Sequence, residues 1–144
     1  MKFRPAGAFA LLAVLPATGS MALDSAGSPV VVLPLASSSR TASGQPITLP
    51  QKNVQVLVSS YRIAPGARLP VHNHPFPRYA YVEAGKLQVT NVETERSTVY
   101  QAGDFIVEMI GQWHRAENVG TEPVRLLVID QVEEGAENTI LQQH

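Results

Sequence analysis

The sequence contains no cysteine. That excludes a disulfide framework, a thiolate metal site and a lipid anchor on an N-terminal cysteine. Any metal ion must be held by His, Asp or Glu. No basic stripe or Lys/Arg block is present either. The 11 Lys and Arg residues are scattered and balance 12 Asp and Glu, for a net charge of -1. Nucleic acid is therefore not an expected partner. Long apolar runs are missing too. Ala6 to Leu15, broken only by Gly7, is too short to span a bilayer comfortably. Downstream of it no stretch shows sustained helical periodicity. At 144 residues the chain suits one domain with a core of its own.

The N-terminus reads as a secretory signal. Lys2 and Arg4 precede the apolar run, Pro16 and Gly19 follow it, and Ser20-Met21-Ala22 places small residues where a signal peptidase reads them. Cleavage after Ala22 removes two positive charges and leaves no stable membrane anchor, so a periplasmic or secreted protein is expected. Residues 23–53 form a lead-in. Val30 to Leu33 is a candidate short strand, and Ala36 to Gln45, rich in Ser, Ala, Thr and Gly, is a candidate loop.

From Val54 onward the pattern changes to short β-branched or alternating segments with Gly or Pro between nearly all of them. Strands are expected at Val54–Ile63, Leu69–His74, Arg78–Glu83, Lys86–Val92, Glu95–Gln101, Phe105–Met109, His114–Asn118 and Val124–Val132. Such spacing predicts an all-β antiparallel sandwich or barrel over residues 54–132. Residues 133–144 form a polar tail, whose end from Asn138 to Gln143 either extends a strand or frays.

Of four histidines, His144 is the last residue. His72 and His74 stand two apart on an expected strand and so share one face. A third ligand must come from another strand, and His114 is the remaining histidine of the folded region. Neutral imidazole suits Fe, Zn, Mn, Ni or Cu better than calcium. The competing interpretation of an H-x-H pair is two polar residues on an exposed sheet face.

The residues around these histidines carry a family pattern. Gly66, five residues, His72, one residue, His74 and later Gly85 form one motif. Gly103, five residues, Met109, one residue, Gly111, two residues, His114, three residues and Asn118 form a second. The stretch from Val54 to Val132 thereby resembles the cupin superfamily. The resemblance implies a small antiparallel jelly-roll barrel, with one divalent transition metal held inside by His72, His74 and His114.

Two positions depart from the family pattern. Met109 stands where proline is usual. Arg78 occupies the place of the usual metal-binding glutamate, and a guanidinium cannot ligate a metal. Three arrangements follow. The site uses three histidines alone; or another carboxylate, Glu108 before Glu83, replaces the glutamate; or Arg78 holds an anion in a metal-free barrel. Strand parity puts Arg78 on one inward face with Ala80 and Val82, where it needs a partner, either Glu108 or a bound anion. Trp113 either lines the pocket or packs outside the barrel. Tyr79 and Tyr81 alternate with Arg78 and face a second layer or an oligomer contact. Phe76, between Pro75 and Pro77, is a rigid lip or a surface turn.

Arg78, Trp113 and Glu108 are thus the candidate substrate-binding residues. The expected function is an exported cupin that holds a divalent metal and acts on a small anionic molecule as a dioxygenase-type enzyme. The alternatives are a non-catalytic barrel holding a small molecule or a metal, and a structural unit that forms a homodimer.

Overall fold

The computed structural model describes residues 29–143. The expected signal sequence, residues 1–22, lies outside them. The described residues contain no helix, and none is long and apolar enough to cross a membrane as one. Residues 29–34 belong to a separate N-terminal unit that ends at Pro34. Val30 to Leu33 form no strand there, contrary to expectation. Pro29 and Pro34 bracket the segment, and proline offers no backbone donor to a ladder.

The unit from Leu35 onward carries nine strands. They are β1 (Val54–Ile63), β2 (His72–Asn73), β3 (Arg78–Ala84), β4 (Lys86–Asn91), β5 (Ser97–Gln101), β6 (Phe105–Val107), β7 (His114–Asn118), β8 (Val124–Glu133) and β9 (Ile140–Leu141). One sheet has the order β1-β8-β3-β6 and the other β5-β4-β7-β2-β9. All strand pairs are antiparallel. Two antiparallel sheets with these crossovers make the jelly roll that the strand spacing predicts. The tail adds a strand: β9 pairs with β2, through His72 with Leu141 and Asn73 with Ile140.

Alternation sets the core. On β8, Val124, Leu126, Val128 and Val132 are buried, and Arg125 and Leu127 are exposed. On β3, Ala80 and Val82 point the same way inward. Val124, Leu126, Val128, Ala80 and Val82 pack with Ile63, Leu87, Val89, Ile106, Met109 and Ala116 as one cluster. Each large side chain buried this way is worth about 1.5–3 kcal/mol.

The expected strand at Leu69–His74 shrinks to His72 and Asn73. Pro70 removes a backbone donor, and Pro75 restricts the residue before it. His74 instead makes a single parallel bridge to Ile110. Gly85 closes the β3–β4 turn at φ +82°, where an added Cβ would meet the Val124 Cα at 2.8 Å. Backbone cannot yield as a side-chain tip can. Gly85→Ala is expected to destabilise by about 1–3 kcal/mol, read as a lower denaturation midpoint at unchanged slope.

Candidate metal centre

Sheet register brings the three histidines together. His72 on β2 is the direct cross-strand partner of His114 on β7, so the two rings project from the same face. His74 arrives from the loop after β2. The ring centroids lie 4.4 Å apart for His72 and His114, and 4.9 Å for each of the other two pairs. Their ligand-capable nitrogens all lie within 4.8 Å of one another. All three are buried, His74 and His114 to 1% exposure. An exposed polar pair is thereby ruled out.

Hydrogen bonds decide which nitrogens face inward. His72 Nδ1 contacts the Pro70 carbonyl at 2.7 Å, His74 Nδ1 the Asn138 carbonyl at 2.5 Å, and His114 Nδ1 the Gln112 carbonyl at 2.9 Å. A carbonyl only accepts, so each Nδ1 carries the proton and donates it. Each Nε2 is left as the acceptor with its lone pair turned inward, that of His74 also facing Arg78 Nη1 at 3.5 Å. Three fixed tautomers with convergent lone pairs are what a cation site of imidazoles requires. The donor set thus fits a divalent transition metal, with His72, His74 and His114 as its holders.

Burial holds all three imidazoles below their ordinary value of 6.5. For His74 burial acts first and the Arg78 charge second, pushing it down to about 2. Imidazoles of the unfolded chain take up protons near 6.5, whereas the folded ones resist until lower pH. The metal-free protein is therefore expected to keep this stability above pH 6.5 and lose it as pH falls below. The slope is about 1.4 kcal/mol per pH unit for each ring that stays neutral. Thermal denaturation of the metal-free protein at pH 7 and pH 5.5 reads the effect. An unchanged melting temperature would contradict it.

Arg78 lies inward and buried, as its parity requires, but its protein partner is not Glu108. It is Asp130 on β8. Arg78 Nε donates to Asp130 Oδ1 at 2.7 Å and Nη2 to Oδ2 at 2.9 Å. The two residues are cross-strand partners. Asn138 Nδ2 donates to the same Oδ1 at 2.6 Å. Burial works against the guanidinium charge, but the bonds and charge of Asp130 outweigh it, so Arg78 is held above its ordinary value. Its remaining Nη1 stands 3.5 Å from His74 Nε2. Asp130 occupies the Nε and Nη2 side of the guanidinium, which leaves the Nη1 side as its remaining donor edge.

Asp130 and Asn138 are absent from the expected site. Asp130 had a readable signal: it is the one acid in the inward series Val124, Leu126, Val128, Asp130, Val132. Asn138 had none, because the tail carries no pattern that predicts a return to the site.

Glu108 is buried beside the triad, with Oε2 at 3.8 Å from His114 Nε2. Burial raises its carboxyl above the ordinary value of 4.5, and the nearby Arg78 charge opposes that rise. Glu83 is exposed on β3 and takes no part. Trp113 is half-buried, and its carbonyl accepts from the Val92 N–H at 2.9 Å. Phe76 is half-buried in its turn, where its N–H donates to Asn138 Oδ1 at 2.8 Å.

A cavity of about 320 Å³ is lined by Val89, Asn91, Arg96, Tyr100, Met109 and Gln112 among others. Asn91 is the cross-strand partner of His114, and Met109 follows Glu108 in the chain. The Glu108 charge acts on Tyr100, whose hydroxyl is held above its ordinary value, by burial first. Neither Glu108 nor a histidine of the triad lines the cavity itself.

Similarity to known proteins agrees with this architecture. No curated protein sequence matches the chain. Among solved structures, a polyketide cyclase, RemF from Streptomyces resistomycificus, matches at TM-score 0.52 and 18% identity, over 61% of this chain and 62% of that one. An oxalate oxidase matches at TM-score 0.51 and 25% identity, over 60% of this chain and 45% of that one. A conserved protein with a double-stranded β-helix domain from Klebsiella pneumoniae matches at TM-score 0.50 and 20% identity, over 78% and 97%. The chain spans less than two thirds of the first two. The cupin domain family matches residues 59–130, half of the sequence. The chain belongs to the cupin family.

Proposed function

We propose that this cupin binds one divalent transition metal through His72, His74 and His114 and uses it to oxidise a small anionic molecule. The observation that carries the reading is the set of three Nδ1-to-carbonyl bonds, which turns three buried Nε2 lone pairs toward one another. When bound, the metal supplies Lewis acidity and open coordination positions for dioxygen and substrate. The likeness to an oxalate oxidase at 25% identity agrees with a small acid as substrate, without specifying which.

The chain's own residues set the substrate's size and charge. The 320 Å³ cavity is of the size that takes small ligands. Arg96 at its wall has no ion pair among the described residues, and Asn91 and Gln112 supply polar contacts. Arg96 is thus better placed than Arg78 to meet a carboxylate. Arg96→Gln is expected to raise KM or Kd for the substrate by about tenfold, with metal content unchanged. Substrate is found by oxygen-consumption screening of small carboxylic acids with the metal-loaded protein. Metal retention with no turnover would favour instead a barrel that only holds metal, a reading supported by the near-complete burial of His74 and His114.

Export and pairing with a second copy complete the proposal. The outer face of the β1-β8-β3-β6 sheet carries Val54, Val56 and Val58, at 53%, 55% and 62% exposure, beside Leu127 and Phe105. Register places Arg62 opposite Arg125 at one end of this face and Val54 opposite Glu133 at the other. A two-fold apposition sets arginines over glutamates while covering the valines. Light scattering should return a dimer, and Val56→Glu with Val58→Glu a monomer. N-terminal sequencing from the native host should begin after Ala22.

A further inference from the structure

Two buried polar side-chain atoms of the described residues lack a hydrogen-bond partner: Glu108 Oε2 and His114 Nε2. They face each other at 3.8 Å. That separation is too long for a hydrogen bond, so a proton on either atom does not satisfy the other. With its proton given by Nδ1 to the Gln112 carbonyl, His114 Nε2 cannot donate to the carboxylate either. Two acceptors thus point at a common gap. Leaving both unpaired costs free energy that native interiors rarely accept. Two ligands of one ion, each at about 2.0–2.2 Å from it, stand roughly 3–4 Å apart. The gap is of ionic size.

We propose that Glu108 is the fourth protein ligand of the metal held by His72, His74 and His114. The inference rests on the three-histidine reading and adds one carboxylate to it.

The fold explains how this residue reaches the centre. Tyr79 pairs with Val107 and Ala80 with Ile106, and the Glu108 N–H donates to the Arg78 carbonyl at 2.9 Å. Glu108 therefore sits directly across from Arg78, one step beyond the β3–β6 ladder and on the inward parity of Ile106. Charge supports the same role. Asp130 is already paired with Arg78, whereas Glu108 Oε2 is buried beside the triad with no hydrogen-bond partner. Arg78 Nη1 lies 3.5 Å from His74 Nε2 and disfavours a cation there. An anionic ligand offsets that repulsion where neutral donors cannot.

The test uses the full mature chain, made metal-free and titrated with Co(II) against a chelator, with the visible absorption of bound Co(II) recorded. Glu108→Gln keeps the shape of the side chain and removes its charge. Weakening of Co(II) binding by about 100-fold or more, with a changed absorption envelope, is the expected result. Glu108→Asp should fall between the two. The metal-free melting temperature should not drop in Glu108→Gln, because a buried acid has been replaced by a neutral amide; this shows that lost affinity is not lost fold. Should Glu108→Gln misfold, Glu108→Asp decides by the same two readouts. Unchanged affinity and an unchanged Co(II) spectrum would overturn the role of Glu108 while leaving the three-histidine site standing. Failure of the unaltered chain to bind Co(II) would overturn both.

Discussion

Replacing His114 by Ala should abolish stoichiometric metal binding. The purified protein should fall from about one ion per chain to background by elemental analysis, a loss in affinity of at least ~10³-fold. The expectation follows from position. His114 is the cross-strand partner of His72 and sits within 4.9 Å, centroid to centroid, of His74, so it joins the two neighbours into one donor set. The remaining pair cannot enclose an ion from two sides. His72→Ala and His74→Ala should do the same. Fold should survive better than binding, because each removed ring makes one Nδ1 bond to a carbonyl and little else, His74 adding only a 3.5 Å contact of Nε2 with Arg78 Nη1. Loss of that bond costs about 1 kcal/mol, against a much larger loss in metal affinity. Metal content should be measured on protein taken from its native compartment, since loading in a foreign cytoplasm reports metal supply rather than preference. A His114→Ala protein that keeps one ion per chain would remove the centre from the barrel.

The triad was legible because it is local and periodic. His72 and His74 share a motif, and the spacing from Gly103 through His114 to Asn118 sets the second arm. Strand existence was equally legible, since β-branched alternation and glycine turns act over a few residues. Boundaries were less so: the strand expected at Leu69–His74 keeps two residues, because flanking prolines interrupt the ladder. What the sequence hid were partners set by cross-strand register. Arg78 and Asp130 are far apart in the chain and meet only because β3 pairs with β8. Asn138 comes in with the tail, where the return of β9 to β2 fixes its position. Glu108 was legible as a candidate from its place before Met109, yet its role depends on a gap that only coordinates measure.

The buried pair Arg78 and Asp130 is where a single change should cost most in stability. Arg78→Met removes a guanidinium that makes two short bonds and leaves the Asp130 carboxylate in the core with only the Asn138 amide to hold it. Breaking a buried pair from one side costs about 3–5 kcal/mol, because the orphaned charge must be desolvated or protonated. Arg78→Met should therefore fall by that amount in denaturant unfolding at pH 7. Asp130→Asn should fall similarly, since it strands the cation. The double change Arg78→Met with Asp130→Leu should recover much of the loss, as packing replaces a pair whose own desolvation is expensive. Placing a carboxylate at position 78 is expected to disappoint. Arg78→Glu would set two acids side by side across β3 and β8, so it should bind metal well only when Asp130 is changed to Asn as well. If Arg78→Met unfolds at the same denaturant concentration as the unaltered chain, the pair contributes nothing net. Arg78 would then be free to serve the ligand rather than the fold.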